Sequence, residues 1–263
     1  MTFNRDDWII PDWPAPDNVK ALITTRNGGV SIGPYASMNP ADHVGDDPEA
    51  VRRNRALLRA QLPDDPHWLK QVHGTQVLRV MSDAHGAPEA DAAVTMLSNQ
   101  VCAVLTADCL PVLFCAADGS TVAVAHAGWR GLAAGVLERT LAAMPVPGAQ
   151  VLVFLGPAIG PEAFEVGAEV KTAFTAFDPA AASAFRPGAP GKYYADLYLL
   201  ARQRLARQGV TRCYGGGFCT YREKQRFYSY RRDGASGRMA ALIWRAATAT
   251  KEAAIFTDIS IGL

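Results

Sequence analysis

The chain has 263 residues, 49% of them hydrophobic, enough to bury a substantial core. Its 26 Lys and Arg against 25 Asp and Glu leave a formal charge of +1, so no global basic field gathers nucleic acid or an anionic membrane surface. Small molecules are the partners this leaves, with no oligomeric state fixed.

The opening stretch MTFNRDDWII contains an early Asp pair and no apolar run of signal-peptide length, and no segment approaches the uninterrupted length that crosses a bilayer. The expected location is cytoplasmic. Cys102, Cys109, Cys115, Cys213 and Cys219 are odd in number, form no CxxC and sit mostly in apolar runs, so free thiols are expected.

A strand is expected at 21–26, followed by the loop NGGVSIGPYASMNP and a helix that Asp46 or Asp47 caps with Pro48 in its first turn. A strand-like run surrounds QVHGTQVLRV at 71–80, and two apolar runs cover 101–106 and 109–116. STVAVAHAGWRGLAAGVLERTLAAM then changes from strand periodicity to good helix formers at about residue 131. A strand into the loop LGPAIG follows at 150–160, then helices at 166–177 and 196–208, the second with Asp196 as cap and Gly209 as stop. RFYSYRRDGASGRMAALIW reads as a terminal hairpin. The expected fold is α+β, a mixed β-sheet covered by helices, with 1–245 as one domain and 246–263 as a C-terminal extension.

The hairpin suggested by Asp118-Gly119 gives the first chemical clue. With a two- or four-residue loop, paired residue numbers total 235 or 237, and Cys109 and His126 total 235. They share a face in both registers, directly opposite at about 4.5–5.5 Å between Cβ atoms or diagonal at about 7–8 Å. His73, in a strand bounded by Gly74, is the third candidate for the same place. Two imidazoles and a thiolate suit Zn²⁺, and three protein ligands leave a position open for water or substrate. A Cys–His nucleophile pair competes on the same geometry, as does an ordinary buried cysteine.

The blocks KQVHGTQV, TADCLPVLF, AHAGWRGLAAGV, LGPAIGPEAFEVG and FYSYRRDGASGRMA occur in this order, and residues 23–244 resemble the YfiH-type family. Its members are known as polyphenol oxidases or peptidoglycan editing factors and as zinc-associated purine nucleoside phosphorylases. The resemblance implies a layered sandwich, similar to toxin domains with a catalytic Cys–His pair, with the site on one side of a mixed sheet. It also makes His73, Cys109 and His126 the metal ligands and catalytic residues, with Zn²⁺ as the cofactor and Cu²⁺ as the alternative.

Around these ligands, the glycine-flanked AHAGWRG turn points backbone N–H groups toward an anion and Arg130 adds charge, so phosphate is expected there. Arg26 in TTRNGG and Arg231 in YSYRRDGASGR are the other candidate substrate contacts, and Phe164 and Tyr228 are candidates for stacking on a purine. The resemblance implies phosphorolysis of adenosine, inosine, guanosine and methylthioadenosine, with adenosine deamination at the same site. The alternatives are a copper-dependent polyphenol oxidase and a factor that edits or binds peptidoglycan precursors. Only five histidines are present, too few for clustered coppers.

Overall fold

The computed structural model describes residues 7–81 and 86–247. β1 (Trp8–Ile9) and β2 (Val19–Thr24) lead to α1 (Pro48–Arg59), then β3 (Pro66–His67), β4 (Val77–Arg79), β5 (Ala92–Thr95), β6 (Val101–Thr106), β7 (Leu110–Ala116) and β8 (Val122–Ala127). They are followed by α2 (Trp129–Ala134), α3 (Val136–Ala143), β9 (Val151–Leu155), β10 (Glu165–Gly167), α4 (Ala168–Thr175), β11 (Phe185–Pro187) and β12 (Lys192–Ala195). α5 (Leu197–Arg207), β13 (Arg212–Gly215), α6 (Tyr230–Asp233) and β14 (Met239–Arg245) complete the order.

Local chemistry sets the helix ends. The Asp47 carboxylate accepts the Glu49 N–H at 3.0 Å and Pro48 opens α1, while Asp196 accepts the Leu199 N–H at 2.9 Å at the start of α5. The helical run after β8 is divided, because Gly135 takes φ 97° and ends α2 before α3 begins. The expected terminal hairpin is replaced by α6 and a single long strand. Ser229 caps α6 by accepting the Arg232 N–H at 3.2 Å, a turn chemistry that the alternating aromatics concealed.

The helix-covered mixed sheet is present, in the order β13-β9-β7-β8-β5-β4. A second mixed sheet, β1-β2-β14-β6-β3, backs it, and a small antiparallel sheet, β10-β12-β11, is hydrogen-bonded to neither but shares the outer core of the first through Val166, Phe185 and Ala195. Alternate residues of the strands serve different layers. Leu113, Cys115, Val122 and Val124 meet Cys102, Val104, Ala241 and Ile243 between the large sheets. On the outer face of the first sheet, Val112, Phe114 and Ala125 pack with Leu132, Leu137 and Leu200 from its helices. On the outer face of the second, Ala103, Leu105 and Leu242 pack with Leu58 of α1. The architecture is therefore helix, sheet, sheet, helix.

This stacking positions the site. β6 belongs to one sheet and β7 to the other, so residues 107–109 form the short link that crosses between them. Residues 248–263, which hold most of the extension set apart in the sequence, lie outside the described residues.

Candidate metal centre

Cys109 ends the inter-sheet link, immediately before β7. Pro111 pairs with His126 and Leu110 with Ala127, which is the register of a four-residue hairpin loop, closed by the Ala116 N–H to Thr121 O bond. Cys109 is therefore diagonal to His126, on the same face. His73 departs from expectation in its local structure, since it lies in a loop with φ 60° and the strand starts only at Val77. It still reaches the others: its Nε2 lies 3.8 Å from Cys109 Sγ, and its ring centroid is 4.7 Å from that of His126.

One ligand atom from each of His73, Cys109 and His126 fits within 4.8 Å of the others, the only such cluster among the described residues. His126 is buried, Cys109 half-buried and His73 exposed, so the cluster opens to solvent on one side. Gly128 makes room for it. A Cβ there would stand 2.8 Å from His73 Cδ2 and 2.9 Å from Cys109 Sγ.

Asp91, which sequence reasoning missed, organises the group. It lies one residue before β5, where the register continues to place it opposite His126, and the His126 N–H donates to its carbonyl at 2.7 Å. Its fully buried carboxylate lies 2.8 Å from His126 Nδ1. The same carboxylate accepts the backbone N–H groups of Val72, His73 and Gly74 at 3.2, 2.9 and 2.7 Å. The left-handed backbone of His73 is held by these bonds. Gln71 fastens the other side of that loop, donating to Leu105 O at 2.8 Å and accepting the Leu105 N–H at 2.7 Å. A lone Asp at the head of an apolar strand was the only available sequence signal.

Burial pushes the Cys109 thiol up, but the charge and hydrogen bond of His126, with help from His73, outweigh it and bring its pKa to about 6. Burial alone would lower His126, yet the Cys109 thiolate and the Asp91 carboxylate raise it to about 9. Cys102 and Cys115, by contrast, are pushed up to about 12 by burial. Two imidazoles and a thiolate already inclined to ionise suit a borderline-soft divalent ion with three protein ligands, so the donor set fits a metal.

The arginines behave differently from one another. Arg130 is exposed and lies 4.4 Å over the ring of its neighbour Trp129, at the start of a helix of only six residues. Arg26 fastens loops, donating to Ala36 O and Lys224 O at 3.0 Å each, and rests 5.0 Å from the Tyr228 ring. Arg231 is tied to the centre through its backbone. Its N–H donates to Asp108 Oδ2 at 2.7 Å, next to Cys109, while its Nη1 donates to Glu165 O at 2.8 Å and its guanidinium lies 5.4 Å from the Phe164 ring. Tyr228 is a core residue whose hydroxyl donates to Tyr35 O, and its buried ring is covered by Arg26.

A family model described as multi-copper polyphenol oxidoreductase laccase matches residues 20–246. The chain belongs to this family. Among curated relatives of this chain, a purine nucleoside phosphorylase of Pseudomonas aeruginosa is 55% identical, with 90% of this chain and 98% of that one covered. The purine nucleoside phosphorylase YfiH of Escherichia coli is 52% identical over the same shares. A solved Neisseria meningitidis protein of the DUF152 family superposes with a TM-score of 0.89 at 55% identity, covering 92% of this chain and all of that one. The family is metal-associated by description, and its curated relatives are named as enzymes.

Proposed function

We propose that this chain is a metal-dependent purine nucleoside phosphorylase whose centre is His73, Cys109 and His126. The observation that carries the reading is the convergence of these side chains at an opening between two stacked sheets, with one buried carboxylate behind two of them. The names of relatives about half identical to it supply the reaction class. Adenosine, inosine, guanosine and methylthioadenosine are the proposed substrates, with adenosine deamination as a second activity.

When bound, Zn²⁺, or Cu²⁺ in its place, supplies Lewis acidity at a coordination position that the three protein ligands leave open. The chain's own residues do the rest. Asp91 keeps the His126 Nδ1 proton and orients the ring, leaving Nε2 for the centre. Gly128 keeps the wall behind Cys109 and His73 free of side chain. Phe164 is buried in the core and serves as a rest for the exposed Arg231 guanidinium, whose backbone N–H is bonded to the residue before Cys109, so Arg231 is the cationic contact proposed for the substrate. In phosphorolysis a phosphate oxygen bonds to the ribose anomeric carbon as the bond to the base breaks, and the base leaves with a proton. Positioning of the nucleoside and the anion is the protein's main contribution.

Five free thiols, one of which must stay reduced to ligate, support a cytoplasmic setting. Copper oxidation of phenols is the second reading, favoured by the family description. Against a clustered-copper centre, His43 sits beside Asp42 at the surface and His67 pairs with Gln100, so only His73 and His126 converge among the described residues. The test is metal analysis of purified protein followed by incubation with adenosine, with and without phosphate. Adenine and ribose-1-phosphate formed only with phosphate support the proposal, whereas oxidation of phenols without nucleoside turnover rejects it.

A further inference from the structure

We propose that Arg238 is the residue that binds inorganic phosphate beside the metal centre. The inference rests on the phosphorolysis reading for the identity of the anion, and on the geometry of Arg238 for its place. Met239 pairs with Thr106 and Ala240 with Leu105, so one further step of the same register sets Arg238 against Ala107, in the link that carries Asp108 and Cys109. The strand pairing thus sets the Arg238 backbone beside that link.

The Arg238 guanidinium is held but not neutralised. The Arg238 N–H donates to Asn39 Oδ1 at 3.0 Å. Its Nη1 donates to Ser236 O at 2.8 Å, Gly237 O at 3.0 Å and Ser236 Oγ at 3.3 Å, and its Cζ lies 5.8 Å from the Tyr230 ring centroid. Nε and Nη2 have no hydrogen-bond partner among the described residues, and no described carboxylate lies within 4.0 Å of the group. The nearby Asp108 carboxylate is committed to the Thr220 hydroxyl at 2.6 Å and the Arg231 N–H at 2.7 Å.

Arg204 makes the contrast. It is buried, but it pairs with Glu138 at 3.1 Å and donates to Leu132 O. A half-buried guanidinium without such an ion pair keeps donors open to an incoming anion. The open Nε and Nη2 edge of a planar guanidinium donates two parallel bonds, the fork that matches two oxygens of a tetrahedral oxyanion. Burial holds Arg238 below the usual arginine range. Arg130 is exposed, and Arg26 has its Nε committed to Ala36 O, so neither offers a half-buried guanidinium with Nε and Nη2 both open.

The test uses the zinc-loaded protein and Arg238→Gln, with inorganic phosphate as the probe. Titration calorimetry with phosphate alone, and steady-state phosphorolysis of inosine, should show phosphate affinity weakened roughly ten- to a hundredfold, the loss of a charge-assisted pair of bonds. The KM for inosine and the zinc content should stay near wild type. Arg238→Lys should recover part of the phosphate affinity. Unchanged phosphate affinity, or equal losses for phosphate and inosine, would overturn the inference. Should Arg238→Gln fail to fold, the wild type decides: phosphate should protect Arg238 from phenylglyoxal in peptide mass spectra, and modification at the same rate with and without phosphate would overturn it. Phosphate binding that depends on Arg238 in a protein without phosphorolysis would remove the functional reading and leave the anion site. Intact phosphorolysis with phosphate binding indifferent to Arg238 would remove the anion site alone.

Discussion

The Asp91 carboxylate lies 2.8 Å from His126 Nδ1 and 2.9 Å from the backbone nitrogen of His73, so one buried side chain holds two of the three residues of the centre. The arrangement fixes the His126 ring, and it stabilises the positive φ of the His73 loop.

Asp91→Asn tests that relationship. The new amide group presents N–H donors toward backbone N–H groups that need acceptors, so the loop and ring lose their common anchor. Zinc affinity, measured by competition with a chromophoric chelator, should fall by about ten- to a hundredfold. Unaltered affinity would show that Asp91 serves packing alone.

Gly128→Ala isolates space at the centre from backbone strain. Gly128 has φ −63°, which alanine adopts freely, so the cost comes from a Cβ at 2.8 Å from His73 and 2.9 Å from Cys109. The variant should fold, as judged by circular dichroism, and bind zinc more weakly than wild type. Normal zinc affinity would mean that the ligands move aside at no cost.

Thiol chemistry gives a pH signature in the metal-free protein. Cys109 has a pKa of about 6, below the ordinary thiol value, so it is mostly thiolate at pH 7 and loses that form as pH falls through about 6. Iodoacetamide should therefore modify Cys109 rapidly at pH 7 and slowly at pH 5, while Cys102 and Cys115, pushed up to about 12, stay unmodified in the folded state. His126, raised to about 9, is protonated at pH 7 and must deprotonate to ligate, so zinc binding at that pH should release about one proton into weak buffer. No proton release would contradict the ionised Cys109–His126 pair.

The Cys109–His126 half of the centre was legible because a hairpin converts loop length into register, and either even loop left both residues on one face. His73 was not derivable from local pattern. It stood as a third candidate beside Gly74, but its position depends on Asp91 and Gln71, contacts distant in sequence that leave no periodic trace, and the family resemblance was what made it a ligand. The strands β6, β7 and β8 are buried along their whole lengths, and such continuous apolar runs announce cover on both faces without saying whether a helix or a sheet provides it. The second sheet therefore appeared only in the structure. The capped helices α1 and α5 were readable because Asp47 with Pro48, and Asp196, mark their starts by short-range chemistry.

The most direct test of the central claim compares zinc content with ribose-1-phosphate formation from inosine and phosphate in wild type, chelator-stripped wild type, zinc-restored wild type and Cys109→Ala. If the three residues ligate as a set, as proposed, phosphorolysis should track bound zinc, vanish on stripping, return on restoration and be absent from a folded, zinc-depleted Cys109→Ala protein. Full ribose-1-phosphate formation by stripped protein, or by Cys109→Ala, would contradict the account.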